Sequence, residues 1–238
     1  NFRAIIILLL ITGLLSVNRL FAQEIKPIPF LQKQGTANQL IVEGKPYLIL
    51  GGELGNSSSS STEYMRTLWS TLKQLNVNTV LAPVYWELIE PDEGKFNFSL
   101  VENLILEARK RDIHLILLWF GSWKNSMSCY APAWVKTDYE RFPRARDVNN
   151  NPVEILSPFV KTNLDADKKA FVELMKFIKS IDGERHTVIM VQVENEIGML
   201  PNARDYLFEA TKAFSENVPV DLINFLTNNS EQLKPEFK

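Results

Sequence analysis

The stretch Thr187–Gly198, TVIMVQVENEIG, changes character halfway along its length. Its first half contains the apolar run Val188–Val191, which is typical of a strand buried on both faces in a parallel sheet. Its second half brings together two carboxylates and an amide in Glu194, Asn195 and Glu196. Polar groups there are costly unless they are paired or used, and parallel α/β folds place their chemistry at that end of the strands. The stretch therefore predicts a functional site, with helix capping or surface ion pairing as the alternative.

Upstream of this stretch, apolar strands alternate with amphipathic helices. Predicted strands begin near residues 47, 79, 114 and 187. A β-hairpin turn is predicted at Glu43–Pro46, between Leu40–Val42 and Tyr47–Leu50. Capping-box spacing predicts Ser60 and Ser99 as helix N-caps. Strands that alternate with helices in this way indicate a parallel sheet with right-handed crossovers.

The number of predicted units suggests part of a barrel. A closed (β/α)₈ barrel has eight strands and typically about 250 residues, whereas this chain of 238 residues shows about four βα units. No fifth strand is visible in Val220–Lys238, which is polar and helix-like. We therefore predict an α/β fold, a TIM barrel truncated after about its first four βα units. Residues 40–238 would form this half-barrel after a leader at residues 23–39. The alternative is a complete open α/β domain with four or five strands.

The N-terminus has the pattern of a secretory signal peptide. An apolar run, Ala4–Leu15, follows Arg3, and polar residues begin at Gln23. This pattern predicts a signal peptide at residues 1–22 that is cleaved after Ala22. The run is short for a membrane span, so we expect a secreted or periplasmic protein with no stable membrane insertion after cleavage. An uncleaved N-terminal anchor is the alternative.

Composition argues against several classes of function. The net charge is −2, with 26 basic and 28 acidic residues, which gives no electrostatic basis for binding nucleic acid. The chain has two histidines and one cysteine, Cys129, so it shows no zinc-ligand cluster. The stretch GELGNSSSSS lacks the lysine of a phosphate-binding P-loop. We expect neither a metal nor a cofactor.

Aromatic and polar residues gather in the loops that follow the predicted strands. These residues are Glu53, Trp86, Trp119, Trp123 and Asn125. In a barrel, such loops surround a single mouth. Sugar hydroxyls need amide and carboxylate partners, and sugar C–H faces pack against aromatic rings. The collection predicts a carbohydrate site, although each tryptophan taken singly is more typical of core or loop packing.

Two motifs carry a resemblance to a known family over about residues 40–215. VQVENEIG closely resembles the Gln-Val-Glu-Asn-Glu-Tyr-Gly signature of glycoside hydrolase family 35, the β-galactosidases. The stretch Trp86–Phe98 is similar to that family's Trp…Glu-Pro…Gly…Phe segment, which has a counterpart in family 42. The resemblance implies a TIM barrel and hydrolysis of terminal β-D-galactosides, or of galactose side chains of polysaccharides, with retention of configuration. An oligosaccharide or polysaccharide is the expected partner, and the oligomeric state is left open.

The resemblance also implies roles for individual residues. Glu196 matches the general acid/base, Asn195 matches the residue that binds the 2-hydroxyl of the sugar, and Glu194 reads as a supporting residue. The chemistry agrees, because a carboxylic acid can protonate the glycosidic oxygen and later activate water. The family's nucleophile is a glutamate that ends the seventh strand, so we expect it beyond Lys238 and expect this chain alone to be inactive.

The chain departs from the family pattern at two positions. Pro83 stands where the family has a tyrosine, and Met127 stands where it has a glutamate that contacts galactose. Asn125 can still be carried over as a sugar-binding residue. These departures weaken the galactose assignment and leave open a glycosidase for a different β-glycoside. A non-catalytic carbohydrate-binding barrel is a separate alternative, against which the intact Asn195-Glu196 argues.

Overall fold

The computed structural model describes residues 27–200 and 202–237. Their contacts separate the chain into two compact units. Unit 1 contains residues 27–83, 98–117 and 175–191, and unit 2 contains the described parts of residues 84–97, 118–174 and 192–237. The predicted signal peptide at residues 1–22 lies outside the described residues.

The described chain contains both strands and helices in alternation. The strands are β1 (Phe30–Gln34), β2 (Ala37–Val42), β3 (Lys45–Pro46), β4 (Gly51–Glu53), β5 (Thr79–Tyr85), β6 (His114–Phe120), β7 (Arg144–Arg146), β8 (Pro152–Leu156) and β9 (Val188–Val193). The α-helices are α1 (Thr62–Gln74), α2 (Trp86–Ile89), α3 (Ser99–Arg109), α4 (Ala133–Lys136), α5 (Lys161–Asp182), α6 (Phe208–Ser215) and α7 (Val220–Asn228). Short 3₁₀ helices cover Ser58–Ser60, Ser230–Gln232 and Pro235–Phe237.

The main sheet of unit 1 has the strand order β4-β5-β6-β9. β4 and β5 pair in parallel, with Gly51 opposite Thr79, and α1, α3 and α5 lie between successive strands along the chain. Buried side chains on the strands and on α1 and α3 form its core: Met65, Trp69, Val80, Ala82, Ile105, Leu115 and Leu117. The predicted α/β fold with a parallel sheet is confirmed.

A three-stranded antiparallel sheet precedes the main sheet. β1 pairs with β2, and β2 pairs with β3. The turn predicted at Glu43–Pro46 exists, since Glu43 and Gly44 both have positive φ, 53° and 76°. β1 and the start of β2 lie within residues 23–39, the predicted leader. All five residues of β1 are exposed, so main-chain pairing rather than burial defines this strand, and its composition does not reveal it.

The predicted strand at Tyr47–Leu50 is wrong, because pairing in the main sheet begins only at Gly51. The side chain of Asn78 holds this segment instead. Its Oδ1 accepts a hydrogen bond from the Leu50 N–H at 2.9 Å, and its Nδ2 donates to the Leu48 carbonyl at 2.9 Å. An apolar run therefore lies beside the sheet without joining the ladder.

Both predicted N-caps, Ser60 and Ser99, lie one residue away from the observed cap positions. Ser61, not Ser60, caps α1, and its Oγ accepts a hydrogen bond from the Tyr64 N–H at 3.3 Å. Phe98 occupies the cap position of α3 without a side-chain capping bond. Its ring stacks on Phe177 with centroids 4.6 Å apart, so an apolar contact accompanies this helix start where the sequence indicated a polar cap.

An ion pair between a half-buried arginine and a buried aspartate fixes the start of β9. The Arg109 guanidinium lies 2.6 Å from Asp182 Oδ1 and also donates to Thr187 Oγ1 at 3.0 Å. The other Asp182 oxygen accepts a hydrogen bond from the Val188 N–H at 2.7 Å. Because Asp182 is buried, loss of this contact would leave its charge uncompensated, and the pair therefore ties the position of β9 to α3 and α5.

Unit 2 has an aromatic interior. Trp86 and Trp134 meet edge to face at 6.0 Å, and Trp134 meets Phe142 at 5.5 Å. β7 and β8 form an antiparallel pair, and Trp123 packs with Ala145 and Ile155 of that pair. Within residues 27–200 and 202–237, no helix has both the length and the apolar character needed to cross a membrane.

Candidate active site

The segment after β9 has an unusual backbone. Glu194 and Glu196 both have positive φ, 63° and 51°. For residues other than glycine this left-handed region costs roughly 1–2 kcal/mol each, and such residues persist where their surroundings hold them in place. Positive φ at two of three consecutive residues indicates that neighbouring groups hold this segment.

The holding contacts come from the loop that follows β6, residues 121–128, here called the β6 loop. The Trp123 N–H donates to Glu194 Oε2 at 2.7 Å, and the Ser122 N–H lies 3.3 Å from Glu194 Oε1. In return, the Asn195 N–H donates to the Trp123 carbonyl at 3.2 Å. Both main-chain groups of Trp123 are thus bonded to Glu194 and Asn195.

A second carboxylate, Asp167 of α5, reaches the same place. Its Oδ1 accepts a hydrogen bond from Trp119 Nε1 at 2.9 Å, and its Oδ2 accepts one from the Ser122 N–H at 2.8 Å. The Ser122 N–H therefore faces both Asp167 and Glu194. A Cβ atom placed on Gly121 would lie 2.7 Å from an oxygen of each carboxylate, so the close packing of the two acids requires glycine at this position.

The two acids do not both carry a charge at neutral pH. Burial raises the pKa of Glu194 to about 10, and its hydrogen bond to Asp167 and the negative charge of Asp167 act in the same direction. Hydrogen bonds from the backbone of Trp123 and Ser122 oppose that rise but do not cancel it. Two carboxylates in contact cannot both ionise, so Glu194 keeps its proton beside Asp167.

A buried lysine contacts Asn195. Lys124 Nζ donates to Asn195 Oδ1 at 2.6 Å and lies 4.9 Å from the centre of the Phe120 ring. Lys124 begins a tight turn in which its backbone exchanges two hydrogen bonds with Met127, at 2.8 and 3.0 Å. The lysine thus fixes the oxygen side of the Asn195 amide and leaves the Nδ2 side able to donate to a hydroxyl.

A cavity of about 520 Å³ adjoins the Asp167 and Glu194 carboxyl groups within unit 2. Its volume is in the range of small-ligand sites. It is lined by Trp119, Ser122, Trp123, Leu156, Ser157, Pro158, Asn163, Leu164, Asp167, Lys168, Phe171, Val193, Glu194, Ile197 and Gly198. The wall is largely apolar, and the carboxyl groups lie among its polar members.

The structure brings together some of the predicted site residues. Trp119, Trp123 and Glu194 line one cavity, and Asn195 is bonded to the Trp123 backbone. Glu196 follows directly, is exposed, and accepts no hydrogen bond on its side chain from residues within the described ranges.

Three other predicted residues, Trp86, Asn125 and Glu53, are not among those that line this cavity. Trp86 is fully buried and donates its indole N–H to Glu90 Oε2 at 2.8 Å, a position in the packed interior and away from the cavity lining. Asn125 is exposed in the turn between Lys124 and Met127, with φ of 52°. Glu53 ends β4 in unit 1 and is exposed.

Sequence reasoning missed Asp167 and Lys124. Asp167 lies in the second turn of a long helix, in the stretch DADKK, where charges of both signs are typical of a solvated helix face. Lys124 lies in a loop whose family counterpart carries no lysine. In the part of the chain that the structure describes, no group of three or more His, Cys, Asp or Glu side chains could hold a metal ion.

Comparison with known proteins adds the family context. The sequence profile of Glycosyl hydrolases family 35 matches residues 39–236. The human protein "Beta-galactosidase-1-like protein 3" is 30% identical over 198 residues, which is 80% of this chain and 28% of that protein. A "Beta-galactosidase" of Xanthomonas manihotis is 28% identical, over 75% of this chain and 28% of its own length. The chain thus spans less than a third of these relatives.

Solved structures share the fold. The crystal structure of β-galactosidase from Bacillus circulans sp. alkalophilus superimposes with a TM-score of 0.57 at 19% identity, covering 76% of this chain and 26% of that one. The β-galactosidase from Rahnella sp. R3 gives a TM-score of 0.53 at 16% identity, covering 78% and 27% of the two chains. At these identities the likeness is one of fold.

Proposed function

The chain belongs to glycoside hydrolase family 35, and we propose that the protein is a retaining glycoside hydrolase for terminal β-D-galactosides, with Glu196 as its acid/base. One observation carries the assignment of Glu196. Glu194 binds two backbone N–H groups and Asp167, whereas Glu196, two residues on, is exposed and able to meet a substrate. Of the two glutamates in the motif, Glu194 therefore holds the backbone and Glu196 is available to react.

The proposed chemistry assigns each residue a step. Glu196 protonates the glycosidic oxygen as the bond to the aglycone breaks, and then removes a proton from the attacking water. Asn195, whose oxygen is held by Lys124 at 2.6 Å, donates its Nδ2 hydrogens to the 2-hydroxyl of the sugar. Hydrogen bonds to that hydroxyl strengthen in the transition state, so fixing the amide beforehand favours the reaction.

Retention also needs a nucleophilic carboxylate about 5–5.5 Å from the acid/base. We propose a glutamate at the end of a seventh strand of a TIM barrel, outside residues 1–238, with β4, β5, β6 and β9 as the first four strands. The coverage of 28% of the human relative and the fold shared with solved β-galactosidases support this arrangement.

Secretion is part of the same proposal. The apolar run Ala4–Leu15 and the small residue Ala22 before a polar segment favour a cleaved signal peptide. Exported protein should begin at Gln23 in mass spectrometry. An exported protein that retains Asn1 would contradict cleavage.

The decisive test replaces Glu196 in the full-length protein. Glu196→Gln keeps the shape but removes the transferable proton. Cleavage of alkyl β-galactosides, which have poor leaving groups, should fall by roughly 10²–10⁴-fold, the usual contribution of general acid–base catalysis. Aryl β-galactosides with acidic phenols should still form the glycosyl-enzyme and release a burst of phenol. Added azide should restore turnover and yield a β-galactosyl azide, because azide needs no general base.

Glu194→Gln provides the matched control, since the same change two residues away should show no azide rescue. Rescue of Glu194→Gln and not of Glu196→Gln would reverse the two roles. Absence of hydrolysis by the unmodified protein, with retained binding of galactosides, would instead indicate a carbohydrate-binding barrel. Because Met127 replaces a galactose-contacting glutamate of the family, the substrate panel should include other aryl β-glycosides. Faster hydrolysis of one of these would identify a different sugar.

A further inference from the structure

We propose that Asp167 and Glu194 share one proton and act together as the positioning pair for Asn195 and Glu196. This inference rests on the proposed function, because it concerns the placement of the proposed acid/base. Neither Asp167 nor the pairing with Glu194 belongs to the sequence motif. The pair is a feature of the fold, which brings α5, the β6 loop and the segment after β9 to one point.

The geometry shows how the pair controls the segment. Asp167 binds the Trp119 indole and the Ser122 N–H at 2.9 and 2.8 Å, which fixes both ends of the Trp119–Ser122 stretch to α5. Glu194 binds the next N–H, that of Trp123, at 2.7 Å. The Asn195 N–H returns a bond to the Trp123 carbonyl. A displacement of either carboxyl group is therefore transmitted to Asn195 and Glu196 through one or two residues.

The shared proton allows Asp167 and Glu194 to hold the Ser122 and Trp123 N–H groups together, an arrangement here called the clamp. The Ser122 N–H faces both acids, so two anions would meet at a single donor in a buried place. One proton between the acids turns that repulsion into a hydrogen bond. The pKa of Glu194, raised by burial and by Asp167, agrees with the proton lying on Glu194. This proton lies between the Asp167 and Glu194 carboxyl groups and need not take part in hydrolysis of the glycosidic bond.

Three other charged groups belong to the same region: Lys168, Lys124 and Glu196. Lys168, the neighbour of Asp167 on α5, lines the same cavity. Lys124 of the β6 loop directs its ammonium to Asn195, and Glu196 is exposed after Asn195. The causes that shift the pKa of Glu194 are burial, Asp167 and the Trp123 and Ser122 backbones, so the proton belongs to this pair.

The hydrogen bonds of the Asp167–Glu194 pair should act on the reaction by holding Glu196 in the correct position. A misplacement of about 1 Å can cost about 10²-fold in rate. Loss of the pair should therefore impair protonation of the leaving group most, since that step requires Glu196 at the glycosidic oxygen. A simple loss of folded protein would lower the rates on all substrates by the same factor.

The experiment compares two substrates in the full-length protein: an alkyl β-galactoside and an aryl β-galactoside with an acidic phenol. Asp167→Asn removes the anionic acceptor and turns an amide N–H towards the Trp119 or Ser122 donor. We expect kcat/KM on the alkyl substrate to fall at least tenfold more than on the aryl substrate. Asp165→Asn, the same change two residues earlier on α5 at a half-exposed side chain, is the control and should leave this ratio unchanged.

Glu194 supplies the conservative rescue. Glu194→Ala removes the clamp, whereas Glu194→Gln keeps a donor for Asp167 and an acceptor for the Trp123 N–H, as the protonated acid does. On the alkyl substrate, kcat/KM should be at least tenfold higher in Glu194→Gln than in Glu194→Ala. Equal losses on both substrates in Asp167→Asn, or no recovery in Glu194→Gln, would overturn the positioning role. If Glu196→Gln lowered kcat/KM by the same factor on the alkyl and the aryl substrate, the proposed function itself would be overturned.

Discussion

Glu194 and Glu196 have the same side chain and are separated by one residue, yet their surroundings differ. Glu194 is half-buried and meets two backbone N–H groups and a carboxylate, while Glu196 is exposed. Both have positive φ, and this backbone form turns successive side chains in directions that an extended strand would not. The motif therefore divides its acids into one that anchors the segment and one that is available for chemistry.

The protonated state of Glu194 predicts a pH dependence of stability. Its pKa is about 10 in the folded protein, against an ordinary value of 4.5. Between these values the folded state holds a proton that the unfolded state has released, so the free energy of unfolding falls as pH rises through this window. The slope from one proton is at most about 1.4 kcal/mol per pH unit.

Glu194→Gln should flatten this decline in the full-length protein, because the amide does not titrate. Urea unfolding at several values between about pH 5 and pH 9 gives the slope for each variant. Glu196→Gln serves as the control, since its side chain is exposed and accepts no hydrogen bond from the residues that the structure describes. An identical slope in Glu194→Gln and the unmodified protein would show that Glu194 ionises normally in the folded state.

The turn of the β6 loop is the element that presents Lys124 to Asn195. Asn125 and Ser126 both have positive φ, 52° and 56°, as in the tight turns that favour Asn-Gly. Asparagine tolerates this conformation, but serine is strained. Ser126→Gly should therefore raise the free energy of unfolding by up to about 1 kcal/mol, and Ser126→Val should lower it by about 1–2 kcal/mol.

Thermal melts of the two Ser126 variants test the strain in this turn. Ser128, two residues on, is also buried, but its Oγ donates to the Ser122 carbonyl at 2.6 Å. Ser128→Gly should therefore destabilise, in contrast to Ser126→Gly. Equal effects at both serines would mean that packing, and not backbone conformation, governs the turn.

The order of elements could be predicted because hydrophobic periodicity reports which face of a helix or strand is buried. Thr79–Ala82 and His114–Trp119 are apolar runs, and both lie within strands of the structure, β5 and β6. The same rule fails at Leu48–Leu50, whose side chains are exposed and whose backbone pairs with the Asn78 amide. An apolar run reports a tendency towards burial, but only the register of the sheet decides where pairing begins.

The candidate site was predictable only where it is local in sequence. Glu194, Asn195 and Glu196 are adjacent and follow an apolar strand, so the pattern is visible. Asp167 reaches them from a helix whose charges resemble a solvated face, and nothing in its neighbours marks it. Trp86 follows a strand, where an aromatic residue reads as a sugar platform. Its part in sugar binding stays a prediction, and its indole N–H donates to the buried Glu90.

At the scale of the whole molecule, the chain displays apolar surface that it does not cover. α7 exposes five apolar side chains in nine residues, and β9 exposes Met190 and Val193. The α7 set is Val220, Leu222, Ile223, Phe225 and Leu226. Exposed apolar patches of this kind mark interaction surfaces or aggregation sites. In the proposed barrel, later βα units would cover such surfaces.

This surface predicts that residues 23–238, expressed alone, self-associate and lack glycosidase activity. Sedimentation velocity should show species larger than the monomer, in proportions that rise with concentration. Replacing Leu222 and Phe225 with lysine should shift the distribution towards monomer, because two of the exposed apolar side chains on α7 are removed. Asn224→Lys with Thr227→Lys adds the same charge on the same helix, where both residues are already polar and exposed, and should shift it less. A monomeric, cooperatively folded 23–238 chain that hydrolyses an aryl β-galactoside would show that these residues need no further units.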